Sequence, residues 1–423
     1  MSTSSSGLLA TGTSIRVSFR AWHHPWVRSV PRLSVRTWIV LTLAIAALLA
    51  SLVLYMHGHN VHGDQSLYDR YAWDFWAGHP PLHALPAEYP ILALLPFSLT
   101  IAPPLPDFVS VFALWMLLLL AAGLLLMARR ESPRVAEVCA VYLAVGAWGT
   151  ILGRYDLVPA AVTVAALWAV RARRFGSAYA LLAAGALLKL YPAVLVPVVL
   201  IEQRRTLGRG GLRPALAGVG LFCLLTIAGF AAASILDPGG WLGPFTYNAR
   251  RPLQIESVPA TLLWATGLLG FPVGPNKSFR SDNLVGQLDG AIGLAADVAL
   301  AAGLLWVWWR QSTGRLDVTR AFAATLLVVV CTGRVLSPQY VIWVLPFIAI
   351  VYRDYDPLWL AICVLTTLVF PFAYAQVHPV GSGPPASYPA FLLGLIALRN
   401  AALVVATVRF LATSSTTATA TAT

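Results

Sequence analysis

The sequence predicts an all-α, polytopic membrane protein. Of its 423 residues 58% are apolar and only 11% are charged, where an average soluble domain carries roughly 25% charged residues. Mean hydropathy is +0.73. Apolar runs of about the 20 residues a helix needs to cross a bilayer recur along the chain. Examples are Trp38–Met56, Asp107–Met127, Ala215–Ile235 and Pro357–Ala375. A soluble enzyme, a disordered chain, a collagen-like fibre and a disulfide scaffold are thereby excluded. The spans follow one another too closely to leave room for a separate soluble domain. Residues 38–411 therefore read as one integral-membrane unit of about 11–13 membrane segments. A basic cytoplasmic arm precedes it over residues 1–37, and a low-complexity Thr/Ala tail, read as disordered, follows over 412–423.

The net charge of +12 has a topological origin, because short cytoplasmic loops collect Lys and Arg. The basic clusters sit between apolar spans and are not interleaved with aromatics on a soluble module, so no nucleic-acid partner is expected. Arg16, Arg20, Arg28, Arg32 and Arg36 place the N-terminus in the cytoplasm. The span after them is long enough to stay as an anchor, and no cleavable signal is evident. Arg129–Arg134, Arg171–Arg174, Arg204–Arg213 and Arg310–Arg320, with Arg353 and Arg409, complete the cytoplasmic set. The outer face keeps Arg70, Arg154, Lys189, Arg250, Arg251, Lys277, Arg280 and Arg334. Cations that break the charge bias need another reason to be there. The four cysteines, Cys139, Cys223, Cys331 and Cys363, lie in apolar segments without CxxC spacing and read as small buried hydrophobes.

This charge map forces several spans to be broken. Between cytoplasmic Arg174 and Arg204 the chain must go out and return within about 30 residues, so Ala178–Ile201 reads as two half-helices of roughly 16 Å each. They meet at Lys189-Leu190-Tyr191-Pro192. Thr319–Asp354 behaves alike, breaking over Gly333–Tyr340, and Ile91–Met127 enters, bends at Pro103, Pro104 and Pro106, then crosses. Non-helical backbone at that depth is tolerated where it is buried in protein or lines a watery cavity.

Polar residues converge on the outer face. The long first extracytoplasmic loop, His57–Pro90, carries Asp64, Asp69, Asp74 and Glu88 among Tyr and Trp, and its Tyr68, Tyr71, Phe75 spacing predicts a short helix starting just after Asp64. Asp69 and Asp74 read either as site groups or as solvated loop charges. Asp64, beside the membrane, is either a site carboxylate or an N-cap. His57, His59 and His62 read as metal ligands or as interfacial filler, and Asp354-Tyr355-Asp356 as a metal motif or a solvated cytoplasmic loop. Arg154-Tyr155-Asp156 is an ion-pair candidate between two apolar spans. Lys189 and Tyr191 sit at one helix break, and Arg334, Ser337, Gln339 and Tyr340 at another. Arg250, Arg251, Gln254 and Glu256 occupy the stretch Asn248–Ser257. Ionisable groups at membrane depth are expensive and mark a functional cavity by default, with interhelical salt bridges as the competing reading. Cations gathered on the face that disfavours them suit a bound anion, which Arg holds bidentately and Lys as a point charge. Asp297 and Arg399, within late spans, read as an interhelical pair or a lateral-cavity feature.

In their order these residues resemble the GT-C glycosyltransferases, and among them glycosyltransferase family 87. The motifs are Asp64 just after the first span, Tyr68 four residues on, Gly78 and Pro80, and Tyr89-Pro90 before the next span. Later come Arg154-Tyr155-Asp156, Lys189-Leu190-Tyr191-Pro192, Gln254-Ile255-Glu256-Ser257 and Ser337-Pro338-Gln339-Tyr340, so the likeness runs from about Ile39 to Leu411. It departs at Tyr89-Pro90-Ile91, where many relatives carry a second Pro.

The resemblance implies a GT-C-like fold and a sugar donor, mannose in the characterised members, carried on polyprenyl phosphate. Such a donor enters from the lipid bilayer, which fits a chain without a Walker or GxGxxG motif. It also implies a glycolipid or glycan acceptor, and a catalytic Asp in the first outer loop, which here is Asp64. Transfer would be a single displacement with inversion, Asp64 taking the acceptor hydroxyl proton. Lys189, Arg250 and Arg251 are the candidates for holding the leaving phosphate, and Arg154 for pairing with Asp156. Neither a metal nor a soluble cofactor is required. A transporter or flippase of a lipid-linked sugar shares broken helices and midplane charges. Against it stand the concentration of charge on one face and the lack of matching halves.

Overall fold

A computed structural model describes residues 33–57, 63–76, 85–377 and 387–413. The basic arm over 1–32, His59, His62, Gly78, Pro80 and the tail from 414 lie outside the described residues.

The chain is an all-α membrane bundle whose order follows from its apolar runs and their caps. Helix α1 (Val35–Ser51) starts where the Ser34 hydroxyl accepts from the Thr37 amide, and continues in a wider turn to His57. Helix α2 (Gly63–Trp76) is the helix expected in the first loop, and α3 (Leu94–Phe97) belongs to a short bent segment. Helix α4 (Phe108–Arg130) is capped by Asp107, and α5 (Pro133–Gly146) by Ser132 with Pro at its first turn. Helices α6 (Leu157–Arg171), α7 (Phe175–Leu188) and α8 (Val196–Leu207) follow, then the long α9 (Leu212–Leu236). After α10 (Gly243–Ala249) and α11 (Val258–Leu268) come α12 (Asp289–Ser312), α13 (Val318–Thr332) and α14 (Val341–Tyr352). Helices α15 (Pro357–Thr367), α16 (Tyr374–Val377) and α17 (Ala390–Ala412) complete the bundle.

Among the described residues six helical segments are long and apolar enough to cross a membrane, and six shorter apolar ones accompany them. The short ones mark the expected breaks. Helix α7 stops at Leu188, and α8 resumes only after a 3₁₀ turn over Tyr191–Leu195; α13 and α14 are separated by extended chain and a 3₁₀ turn over Pro338–Tyr340. The core is built by α5, α6, α7, α13 and α14, which bury most of their side chains. Helices α9 and α12 leave large apolar residues such as Ile227, Ile235, Leu294 and Val298 exposed, as lipid-facing helices do.

One element has no counterpart in the sequence reading. Strands β1 (Leu253–Gln254), β2 (Val273–Ser278) and β3 (Ser281–Gly286) form a small antiparallel sheet in the order β1-β3-β2. The β2–β3 hairpin turns at Phe279 and Arg280, both in the left-handed region at φ 53° and 52°. Its few apolar residues, Val273, Leu284 and Val285, do not alternate regularly with polar ones, and the turn lacks Gly or Asn at those two positions, so neither a period-2 pattern nor a hairpin signature announced it.

The bundle has two polar ends. Where α5 begins, Glu137 accepts from Thr37 Oγ1 at 2.7 Å and pairs with Arg134 at 3.1 Å, and Arg134 reaches Asp354 at 2.5 Å. Asp356 caps α15 and pairs with Arg409, so the Asp354-Tyr355-Asp356 run is an ion-paired loop. Where α5 finishes, the chain turns through Arg154 and Asp156 into the site described next.

Candidate active site

A cavity of about 710 Å³ opens at this second end. It is lined by Asp64 and Leu67 from α2, by Glu88 and Tyr89, and by Arg154 from the α5–α6 turn. Lys189 and Tyr191 come from the α7–α8 break, Arg251, Gln254 and Glu256 from around β1, Arg280 and Asp282 from the hairpin, and Arg334, Ser337, Gln339 and Tyr340 from the α13–α14 break. Both helix breaks thus deliver polar side chains into one space, the tolerated use of irregular backbone at membrane depth.

Asp64 lies in the first turn of α2, one residue inside the helix, so it is not the N-cap. Its Oδ2 pairs with Arg154 and accepts the Tyr68 hydroxyl at 3.4 Å; among the described residues no contact is made to Oδ1. Tyr68 itself is buried under the cavity, stacked on Phe97 at 4.3 Å and edge-on to Tyr155 at 5.6 Å. These rings hold α2 against the α5–α6 turn and so fix Asp64 relative to Arg154.

Arg154 does not pair with Asp156 as expected. Asp156 is buried, and its Oδ1 accepts both Lys189 Nζ at 2.7 Å and Trp343 Nε1 at 2.7 Å. Arg154 and Asp156 are two residues apart in a turn, which sends their side chains to different neighbours. The Lys189 ammonium lies 5.0–6.0 Å from the rings of Tyr89, Tyr155, Tyr340 and Trp343. Trp343 stacks on Tyr191 at 4.0 Å and on Tyr340 at 3.9 Å. Tyr155 is fully buried, donating to the Leu188 carbonyl at 3.2 Å, and supports the floor without lining it.

The other charges are paired as well. Glu88 accepts from Tyr71 and lies 3.3 Å from Arg280. Burial first, and then the Glu88 carboxylate, raises the Tyr71 hydroxyl well above its ordinary range. Arg334 pairs with Asp297 on α12, and Glu256 pairs at 3.3 Å with Arg399 of α17. Asp297 and Arg399 therefore each have another partner and do not pair together. Burial pushes the Glu256 carboxyl up, to about 7, against the pull of Arg399.

Arg251 is the exception. Among the described residues it is the cavity cation without a carboxylate partner, its buried Nε has no hydrogen-bond partner, and its guanidinium sits 5.6 Å over the Tyr247 ring. Neighbouring Arg250 is exposed and does not line the cavity. Asp69 and Asp74 lie elsewhere on α2, outside the lining. His57 pairs with Asp107 at 3.0 Å, and among the described residues no group of three His, Cys, Asp or Glu side chains is arranged to hold a metal ion.

Some of the lining escaped the sequence reading. Trp343 sits in an uninterrupted apolar run, where nothing marks its indole N–H as a ligand of Asp156. Phe279 and Asp282 depend on a hairpin that carries no signature, and Tyr247 of α10 donates to the Phe279 carbonyl; the outward charges of Lys277 and Arg280 are the available hints.

The model of glycosyltransferase family 87 matches residues 88–338, which contain Glu88, Arg154, Asp156, Lys189, Arg251, Glu256, Arg334 and Ser337. The match is narrower than the run of motifs and begins after Asp64. No curated protein matches the chain.

Proposed function

The chain belongs to glycosyltransferase family 87, and from that premise we propose that it moves a sugar, mannose by resemblance, from a polyprenyl-phosphate donor to a hydroxyl of a lipid- or glycan-linked acceptor. Membership makes it a membrane glycosyltransferase and disfavours the transporter reading. One observation carries the finer proposal. Among the described residues, a carboxylate oxygen without a hydrogen-bond or ion-pair partner, Asp64 Oδ1, and a guanidinium without a carboxylate partner, Arg251, line the same cavity.

The chemistry follows from those two groups. Asp64 Oδ1 accepts the proton as the acceptor oxygen attacks the anomeric carbon. Arg154 and Tyr68, both on Oδ2, orient the carboxylate without occupying the oxygen that works. The glycosidic C–O bond to phosphate breaks on the opposite face, with inversion, and the departing phosphate keeps its electron pair. It leaves as an anion and needs fixed cations, not a proton. Arg251 supplies an uncommitted one, and Lys189 adds positive field while tethered to Asp156.

The test is glycolipid analysis of membranes with and without the protein, together with transfer from polyprenyl-phosphate mannose by the purified chain. A missing glycolipid restored by expression is the expected outcome. Unchanged glycolipids and no transfer overturn the proposal.

The same reading puts the cavity on the extracytoplasmic face of the cell membrane and both termini in the cytoplasm. Arg134, Arg320 and Arg409 at one end of the bundle, against the cavity at the other, favour this orientation. Single cysteines introduced beside Gln254 and Ser337 should label with a membrane-impermeant thiol reagent from outside. Labelling of these sites from the cytoplasm alone reverses the orientation.

A further inference from the structure

We propose that Arg334 and Asp297 form a charge gate in the side of the cavity, through which the phosphate of a lipid-linked substrate passes from the bilayer to Arg251. The proposal rests on the lipid-phosphate donor read above. Asp297 lies eight residues into α12, about 12 Å from its outer end at 1.5 Å per residue. Helix α12 is one of the six long apolar helices, and the residues beside Asp297, such as Leu294 and Val298, are exposed as on a lipid-facing surface. Asp297 is itself half exposed and Arg334 nearly so. A carboxylate at that depth and exposure is costly and marks a functional position by default.

The cavity reaches this pair. Its lining includes Asp297 and Leu300 of α12 together with Val329 of α13 and Arg334 just past its end. A seam between α12 and α13 is therefore where the polar interior meets lipid. The Arg334 guanidinium lies against Gly293, one turn before Asp297, and a Cβ there would come 3.2 Å from Cζ. Glycine lets the fork lie close to α12, where Asp297 is its carboxylate partner among the described residues. An incoming phosphate replaces Asp297 as the bidentate partner of Arg334, and Asp297 reclaims the arginine when the phosphate moves inward.

The two members of the pair therefore act in opposite directions, which a structural salt bridge does not predict. Association and dissociation of a tail-labelled fluorescent polyprenyl phosphate, followed by anisotropy with the full chain in micelles, read the gate directly. The same labelled polyprenol without phosphate is the control. Arg334→Gln should slow association about tenfold, as loss of a steering charge does. Asp297→Asn should associate at least as fast as wild type and dissociate several-fold more slowly, because the phosphate meets no competitor for Arg334. The double variant Arg334→Gln/Asp297→Asn, which leaves no unpaired carboxylate, should associate slowly as well and stands in if Arg334→Gln fails to fold. Both rates shifted alike in Arg334→Gln and Asp297→Asn, or left at wild-type values, overturn the gate. A wild-type chain that does not bind polyprenyl phosphate overturns the donor reading and the gate with it.

Discussion

Asp64→Asn should lower sugar transfer by about 10²–10⁴-fold, the contribution of a positioned general base. Asparagine keeps the shape of the side chain, and its carbonyl oxygen can still accept from Arg154 and Tyr68, the two contacts that Asp64 makes through Oδ2. What it cannot do is take a proton. Its position in the first turn of α2 removes the N-cap role and leaves a charge–dipole contact of about 0.3–1 kcal/mol as the structural loss, too small to account for a fall of that size. Thermal unfolding of the purified variant checks that the Arg154 contact survives in neutral form, since that ion pair also ties α2 to the α5–α6 turn. Asp69→Asn, on the same helix and outside the cavity, serves as the control and should transfer at close to the wild-type rate. A nearly active Asp64→Asn beside a dead Asp156→Asn would move the base to Asp156.

The bundle was legible because its signals are long and one-dimensional. Apolar runs of span length, Arg-rich loops and Pro at the breaks specify the half-helices around Lys189 and Gly333. The same reasoning brings Asp64, Lys189, Arg251 and Ser337 to one face, since cations on the face that disfavours them suit an anion held there. Pairing was not legible. Whether Asp156 takes Arg154 or Lys189 depends on side-chain directions in a tight turn, which spacing along the sequence does not encode. Likewise Glu256 and Arg399 meet across a separation of 143 positions in the chain, and nothing local to either names the other. The β2–β3 hairpin failed for a different reason: its apolar residues are few and do not alternate, although Leu284 and Val273 pack against α11 and α17, so no period-2 pattern reported it. Arg250 and Arg251 show the limit most sharply. Adjacent and chemically identical, they differ only in that the end of α10 turns one outward and the other over Tyr247 into the cavity.

That difference separates them by experiment. Arg251→Ala removes the guanidinium that no carboxylate among the described residues occupies, and with it a charge-assisted contact to the departing phosphate. Such a contact in a partly dry site is worth about 1.5–3 kcal/mol. At about 1.4 kcal/mol per decade, transfer should fall roughly 10- to 150-fold. Arg251→Lys restores charge without the fork and should recover part of the loss, because a point charge holds phosphate less directionally. Arg250→Ala should cost clearly less, since that side chain reaches solvent and not the cavity. Lys189→Ala is expected to be at least as damaging as Arg251→Ala but for a mixed reason. It strips Asp156 of its ammonium partner inside the floor, so its stability should drop alongside its rate. Initial rates of the four variants against polyprenyl-phosphate mannose, with unfolding midpoints measured in parallel, read both effects. Equal losses in Arg250→Ala and Arg251→Ala would mean that the phosphate is held at the rim and not inside the cavity.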